Sequence, residues 1–224
     1  MTPSQQRWRD NFLRESAMRR GLVLHGNVGD VVPGPRGGWI QLTEDVDRIL
    51  RERGYRRVFR WNRVHGVHGP DQREWPALQR AVMDSDTTGG TSGTPYDMGG
   101  PSSPAPGPGP ATNNPLDFLS VVSSALRKPP ADSVAFILDW TEYLFGQVNS
   151  LTELERSWLT LLGEATREAP LPTAVSITGP TPLVVLVCNG LSVLPPSLYT
   201  NNPAVAEIHV PVPNRQDRQA AVLS

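Results

Sequence analysis

The sequence predicts a doubly wound α/β fold built on a parallel sheet. Two short, wholly apolar runs, Val134–Leu138 and Leu183–Cys188, have strand length and no polar side, as expected of strands covered on both faces. Between them, Leu151–Arg167 carries Leu154, Trp158, Leu161, Leu162 and Ala165 on one helical stripe. Strands and helices alternate in this way along most of the chain.

The remaining elements follow in order. Gln5–Arg20 has Trp8, Phe12 and Ala17 or Met18 at helical spacing, and Gly21 stops it. Gly21–His25 is a short strand, followed by a loop over Gly26–Gly38. Thr43 is expected to cap a helix with Glu44, Asp45 and Asp47 near its start, Val46, Ile49 and Leu50 as its stripe, and Gly54 at its end. Arg57–Val64 alternates as a strand with one polar face. Asp84–Asn114 is nearly all Gly, Pro, Ser, Thr and Asp. Such a composition buries too little apolar surface to offset chain entropy, and it predicts a long disordered insertion within one domain. Pro115–Arg127 repeats Leu116, Leu119, Val122 and Leu126 at helical spacing, and Pro129 and Pro130 end it. Ser150 with Glu153 suits a capping box ahead of the next helix. Leu194–Leu198 reads as a short helix, Ala206–Val212 as a third strand, and Asn214–Leu223 as the start of a further helix. The organisation expected is an N-terminal helix over 1–20 and one α/β domain over 21–224.

Composition narrows the function classes. The formal net charge of −1 gives no overall field toward nucleic acid or an anionic membrane. The charged N-terminus has no apolar signal core, and no apolar run is long enough to span a bilayer. The lone Cys188 excludes an internal disulfide and fits a reducing, cytoplasmic setting. Among 21 basic residues Lys128 is the single lysine, which reads as the codon bias of a GC-rich bacterial genome. Any chemistry that needs a lysine must use Lys128 or be absent.

The second half carries a resemblance. A strand ends in Asp139, a long helix follows, a second strand ends in Asn189, and the passage Ile208-x-Val210-Pro211-x-Pro213 leads on to Arg218. This ordered set resembles the AAA+ ATPase family, with its P-loop-type sheet, from the Walker B strand to the strand before the lid. The resemblance implies that Asp139 matches the magnesium-associated aspartate and Asn189 the sensor-1 residue. The loop opening with Gly26, Asn27 and Gly29 then stands where phosphates would be cradled, with ATP and Mg²⁺ as the implied ligands. These five residues form the candidate cofactor-binding set, and no residue is assigned a catalytic role.

Three departures weigh against hydrolysis. A phosphate loop needs a lysine and a Ser/Thr beside backbone N–H groups, and HGNVGDVVPGPRGG has neither GK[ST] nor any lysine. Trp140 stands where a water-polarising glutamate belongs, and Glu142, three residues beyond Asp139, would point elsewhere if the strand continues. No Arg or Lys occurs between Arg167 and Arg215, the stretch expected to hold an arginine finger, a group worth about 10³–10⁵ in rate. The resemblance therefore implies a degenerate, non-catalytic module, an assembly or regulatory domain like the first half of tandem AAA+ proteins of cyanobacteria and plastids. Its implied partner is a catalytic AAA+ module, in the same polypeptide or in trans, with a ring oligomer as the assembly the resemblance suggests, and the lid is expected to lie beyond Ser224. Two alternatives stay open: an active ATP-binding enzyme with an atypical phosphate loop, and a protein-binding adaptor.

Other residues have blander roles open to them. His65 and His68 suggest metal less than a loop, and His25 and His209 suggest sheet ends. Arg56, Arg57, Arg60 and Arg63 around Trp61 form the best basic patch, with nucleic acid not expected as a partner. Leu198 and Tyr199, in the uncharged stretch Leu191–Pro203, are candidate anchors for a ring neighbour.

Overall fold

A computed structural model describes residues 3–33, 38–87, 113–145, 150–170 and 180–212. Eight strands and five α-helices run in the order α1 (Pro3–Met18), β1 (Gly21–Gly26), β2 (Val31–Pro33), β3 (Trp39–Gln41), α2 (Leu42–Glu52), β4 (Arg57–Asn62) and β5 (Gly66–His68). There follow α3 (Trp75–Thr87), α4 (Pro115–Arg127), β6 (Val134–Leu138), α5 (Glu153–Glu168), β7 (Leu183–Cys188) and β8 (Val205–Val210). The main sheet has the order β5-β4-β6-β7-β1-β8, parallel except for the β4–β5 pair. β6 and β7 lie at its centre and every residue of both is buried, as their unbroken apolar sequences require.

Helices cover both faces. α3, α4 and α5 close one with Trp75, Leu78, Phe118, Val122, Trp158 and Leu162. α1 and α2 close the other with Trp8, Phe12, Val46, Ile49 and Leu50. The α1 stripe is Trp8, Phe12 and Ser16 at four-residue spacing, whereas Ala17 and Met18 face outward. α1 is thus part of the same core as the sheet. Arg9 reaches from α1 to the fully buried Asp45 of α2, Nε to Oδ2 2.7 Å, and Arg48 binds the other carboxylate oxygen at 2.6 Å. The buried Arg20, just past α1, donates to the Pro170 carbonyl and the Thr181 hydroxyl.

Several expectations are corrected. Asp84–Thr87 is helical, the end of α3, and Asn114 caps α4 by accepting the Leu116 N–H at 3.1 Å. The insertion expected over 84–114 is therefore shorter at both ends, and residues 88–112 lie outside the described residues. So does the helix expected from Asn214. The Gly26–Gly38 loop contains β2, which pairs antiparallel with β3. α2 starts earlier than Thr43, with Gln41 at its N-cap and no side-chain cap, and Thr43 is buried in its first turn. The capping box of α5 is Thr152 with Glu155, not Ser150 with Glu153. The segment Leu191–Leu198 forms two 3₁₀ turns. The polar side of β4 is covered too, since Arg60 approaches Asp47 of α2 at 4.0 Å.

Candidate functional site at the carboxyl edge of the sheet

In an open parallel sheet the ligand crevice lies beyond the carboxyl ends of the strands. β1, β6 and β7 deliver Gly26, Asp139 and Asn189 to that edge side by side, as their register demands. Three of the five candidate residues therefore meet at one edge. Their partners determine what the place can do.

After β1 the chain does not enter a helix. Gly26 takes φ +104°, and a Cβ there would stand 2.7 Å from the Val210 carbonyl oxygen, so only glycine fits this turn. The Gly26 N–H donates to Asn189 O at 3.2 Å, Asn27 N–H to Val210 O at 3.0 Å, and Val28 N–H to Gly26 O at 2.8 Å. The Asn27 amide donates to Asp30 Oδ2 at 3.0 Å. Gly29 has open space around it. Amides that would have to converge on an anion are bonded to carbonyls of neighbouring strands or of their own turn, and among the described residues the next helix N-terminus does not come until Leu42.

The β6 end is built around a strained residue. Trp140 adopts the left-handed region at φ 53° and is half exposed, an unusual conformation for a bulky side chain. It turns the chain into a 3₁₀ turn, Thr141–Tyr143, held by the Thr141 hydroxyl donating to Leu138 O at 3.0 Å. This turn brings Glu142 back over the sheet, where Asn189 Nδ2 donates to Glu142 Oε1 at 2.6 Å. Glu142 would point elsewhere only if the strand continued past Asp139, and the left-handed Trp140 ends it. Sequence could not signal this, because tryptophan is a poor marker of positive φ.

Asp139 Oδ1 accepts its neighbour Trp140's N–H at 2.9 Å. Burial pushes its pKa above the ordinary carboxylate value, against the opposing pull of His68 and Arg60. The other Glu142 oxygen is buried with no hydrogen-bond partner among the described residues. Next to it Cys188 is fully buried, and burial together with Glu142 pushes its thiol up to about 12. Two carboxylates and a carboxamide thus crowd the crevice. No lysine joins them: Lys128 ends α4, at the opposite edge of the sheet.

The other candidates resolve simply. Among the described residues no group of three or more His, Cys, Asp or Glu could hold a metal ion. His65 and His68 sit on the β4–β5 hairpin with ring centroids 6.0 Å apart, and Asn62 Oδ1 shapes its turn by accepting the N–H groups of Val64 and His65. The basic patch is largely neutralised, since Arg56 and Arg57 bind Asp132 and Trp61 is buried. Leu198 belongs to the core and Tyr199 packs against it, so the expected anchors face inward. No described helix is long and apolar enough to cross a membrane.

The family model described as AAA+ chaperone, N-terminal Rossmann-like domain matches residues 7–211. That span includes α1 from Arg7 onward and every strand of the sheet. The chain belongs to this family. No curated protein matches it.

Proposed function

We propose that this domain serves an AAA+ chaperone as a non-catalytic assembly or regulatory domain, docked beside an ATP-hydrolysing module. The observation that carries this reading is the path of the chain after β1. The backbone donors of Gly26, Asn27 and Val28 hold the ends of β7, β8 and their own turn together, and among the described residues no phosphate-directed helix follows.

The described residues do not fit ATP with Mg²⁺. Charge points the same way as geometry. Asp30, Asp139 and Glu142 line the edge where a polyphosphate would sit, with no lysine to oppose them. Asn189 is engaged by Glu142, and Asp139 by the turn it begins. These groups support a structural role, tying β6 to β7 where an enzyme would keep them free for ligand. The catalytic AAA+ partner, in the same polypeptide or in trans, and any ring they form belong to this reading through the family description.

Thermal melting with ATP and Mg²⁺ tests it. A ligand at 100 times its Kd stabilises the folded state by about 2.7 kcal/mol, a readily measured shift. Millimolar ATP is expected to leave the melting temperature unchanged. A rise of several degrees that disappears in Asp139→Ala would establish the alternative, a nucleotide-binding site of atypical form.

A further inference from the structure

β1 and β8 each carry a histidine near the carboxyl end, and the register makes them neighbours: His25 stands beside His209, on strands about 4.8 Å apart. Both side chains lie on one face. Leu22 and Leu24 pack under α1 and α2 while Val23 faces α3, α4 and α5, so alternation turns His25 to the Val23 side. On β8, Ile208 and Val210 belong to the core under α1 and α2, which turns Glu207 and His209 the same way as His25.

The rings are held close. A Cβ at Gly26 would stand 3.1 Å from both Cδ2 and Nε2 of His209, so the bare α-carbon leaves room for that imidazole. The two ring centroids are 5.3 Å apart, with their planes inclined at 59°. Two imidazoles sharing one tetrahedral zinc, at Zn–N distances of about 2.0–2.1 Å, have centroids roughly 5 Å apart. Neither imidazole hydrogen-bonds to a described residue, in contrast to His68, whose Nδ1 is bonded to the Gly66 carbonyl at 3.0 Å. His25 is held below the ordinary histidine pKa, first by burial and then by His209, with the exposed Glu207 pulling the other way. It is therefore neutral at pH 7, the form that binds metal. From α1, Arg7, Asp10 and Arg14 line a groove with His209. There Asp10 is engaged by Gln6, and Arg14 by Asn11 and Glu15.

We infer that His25 and His209 together bind one divalent transition-metal ion, which ties β8 to β1 at the carboxyl edge. Imidazole suits zinc, copper and nickel, whereas magnesium and calcium take oxygen ligands. No third His, Cys, Asp or Glu among the described residues completes the set. Water fills the remaining positions, and the ion is exchangeable.

The test is zinc chloride titrated into the full chain without an affinity tag, read by calorimetry at pH 7. Zinc is expected to bind and magnesium to give no heat. Binding is expected to fade below about pH 6, where protons compete for both rings. His25→Ala and His209→Ala should each weaken binding by at least about tenfold, since losing even an outer partner of a metal site costs that much. His65→Ala with His68→Ala removes the other histidine pair and should leave this binding in place. Imidazole NMR on the unaltered chain asks the same question even if a variant fails to fold: zinc should shift the His25 and His209 signals together, before those of His65 and His68. No binding at millimolar zinc, binding that survives either single substitution, or shifts at His65 and His68 alone would each overturn the proposal.

Discussion

On the face covered by α3, α4 and α5, aromatic rings close the sheet: Trp61 stacks on Phe118 at 5.1 Å, Trp75 on Phe118 at 5.2 Å, and Phe59 meets Trp75 edge-on at 5.3 Å. On the face covered by α1 and α2, an apolar floor of Phe12, Val46 and Leu50 is overlaid by ion pairs. There Asp45 is shared by Arg9 and Arg48, and Arg51 is shared by Asp47 and Asp71. The first face gains stability from area and shape. The second gains less net energy, since desolvating charges offsets much of their attraction, but it fixes where α1 and α2 sit.

The contrast is tested most severely on the aromatic side. Trp75→Ala should lower the unfolding free energy by about 4 kcal/mol, measured by urea denaturation, because the ring leaves a cavity among three aromatic neighbours. On the ionic side Asp45→Ala should lose about 3 kcal/mol, by removing the buried carboxylate that binds the Arg9 guanidinium. Combining Arg9→Met with Asp45→Leu should return stability to within about 1 kcal/mol of the original, which an aromatic cavity would not permit. Failure of that rescue would mean that the ion pair supplies net stability after all.

The smallest effect is expected at the sheet edge. Burial raises the pKa of Asp139, so the folded chain holds this proton more tightly than the unfolded chain does. Ionised Asp139 therefore weighs on stability above its folded pKa, and the penalty fades as pH falls toward the ordinary value near 4. Asp139→Asn should raise the melting temperature by about 1–2 °C at pH 7, and the gap should close by pH 4. A gap that widens on acidification would mean that a cation holds Asp139 charged.

The sheet was largely legible in the sequence. β6 and β7 are continuous apolar runs, and α4 matched its expected bounds because Asn114, Pro115 and the prolines after Lys128 punctuate it. α3 was missed although Trp75, Leu78 and Val82 have helical spacing, because its last turn, Asp84–Thr87, shares the polar composition of residues 88–112. β2 and β3 are three residues each, too short for any periodicity to show. At the site, strand ends placed Asp139 and Asn189 correctly. The Asn189–Glu142 bond was hidden because it depends on one left-handed residue.

The buried Cys188 has a consequence for how this protein can be watched. Its thiol stays protonated at every physiological pH and lies beneath packed side chains, so alkylating reagents and mild oxidants have nothing to attack in the intact fold. β7 is clasped by β1 on one side and β6 on the other. Modification of this lone sulfur therefore reports opening at the carboxyl end of β7, and fraying at α1, which packs on the opposite face, leaves it untouched.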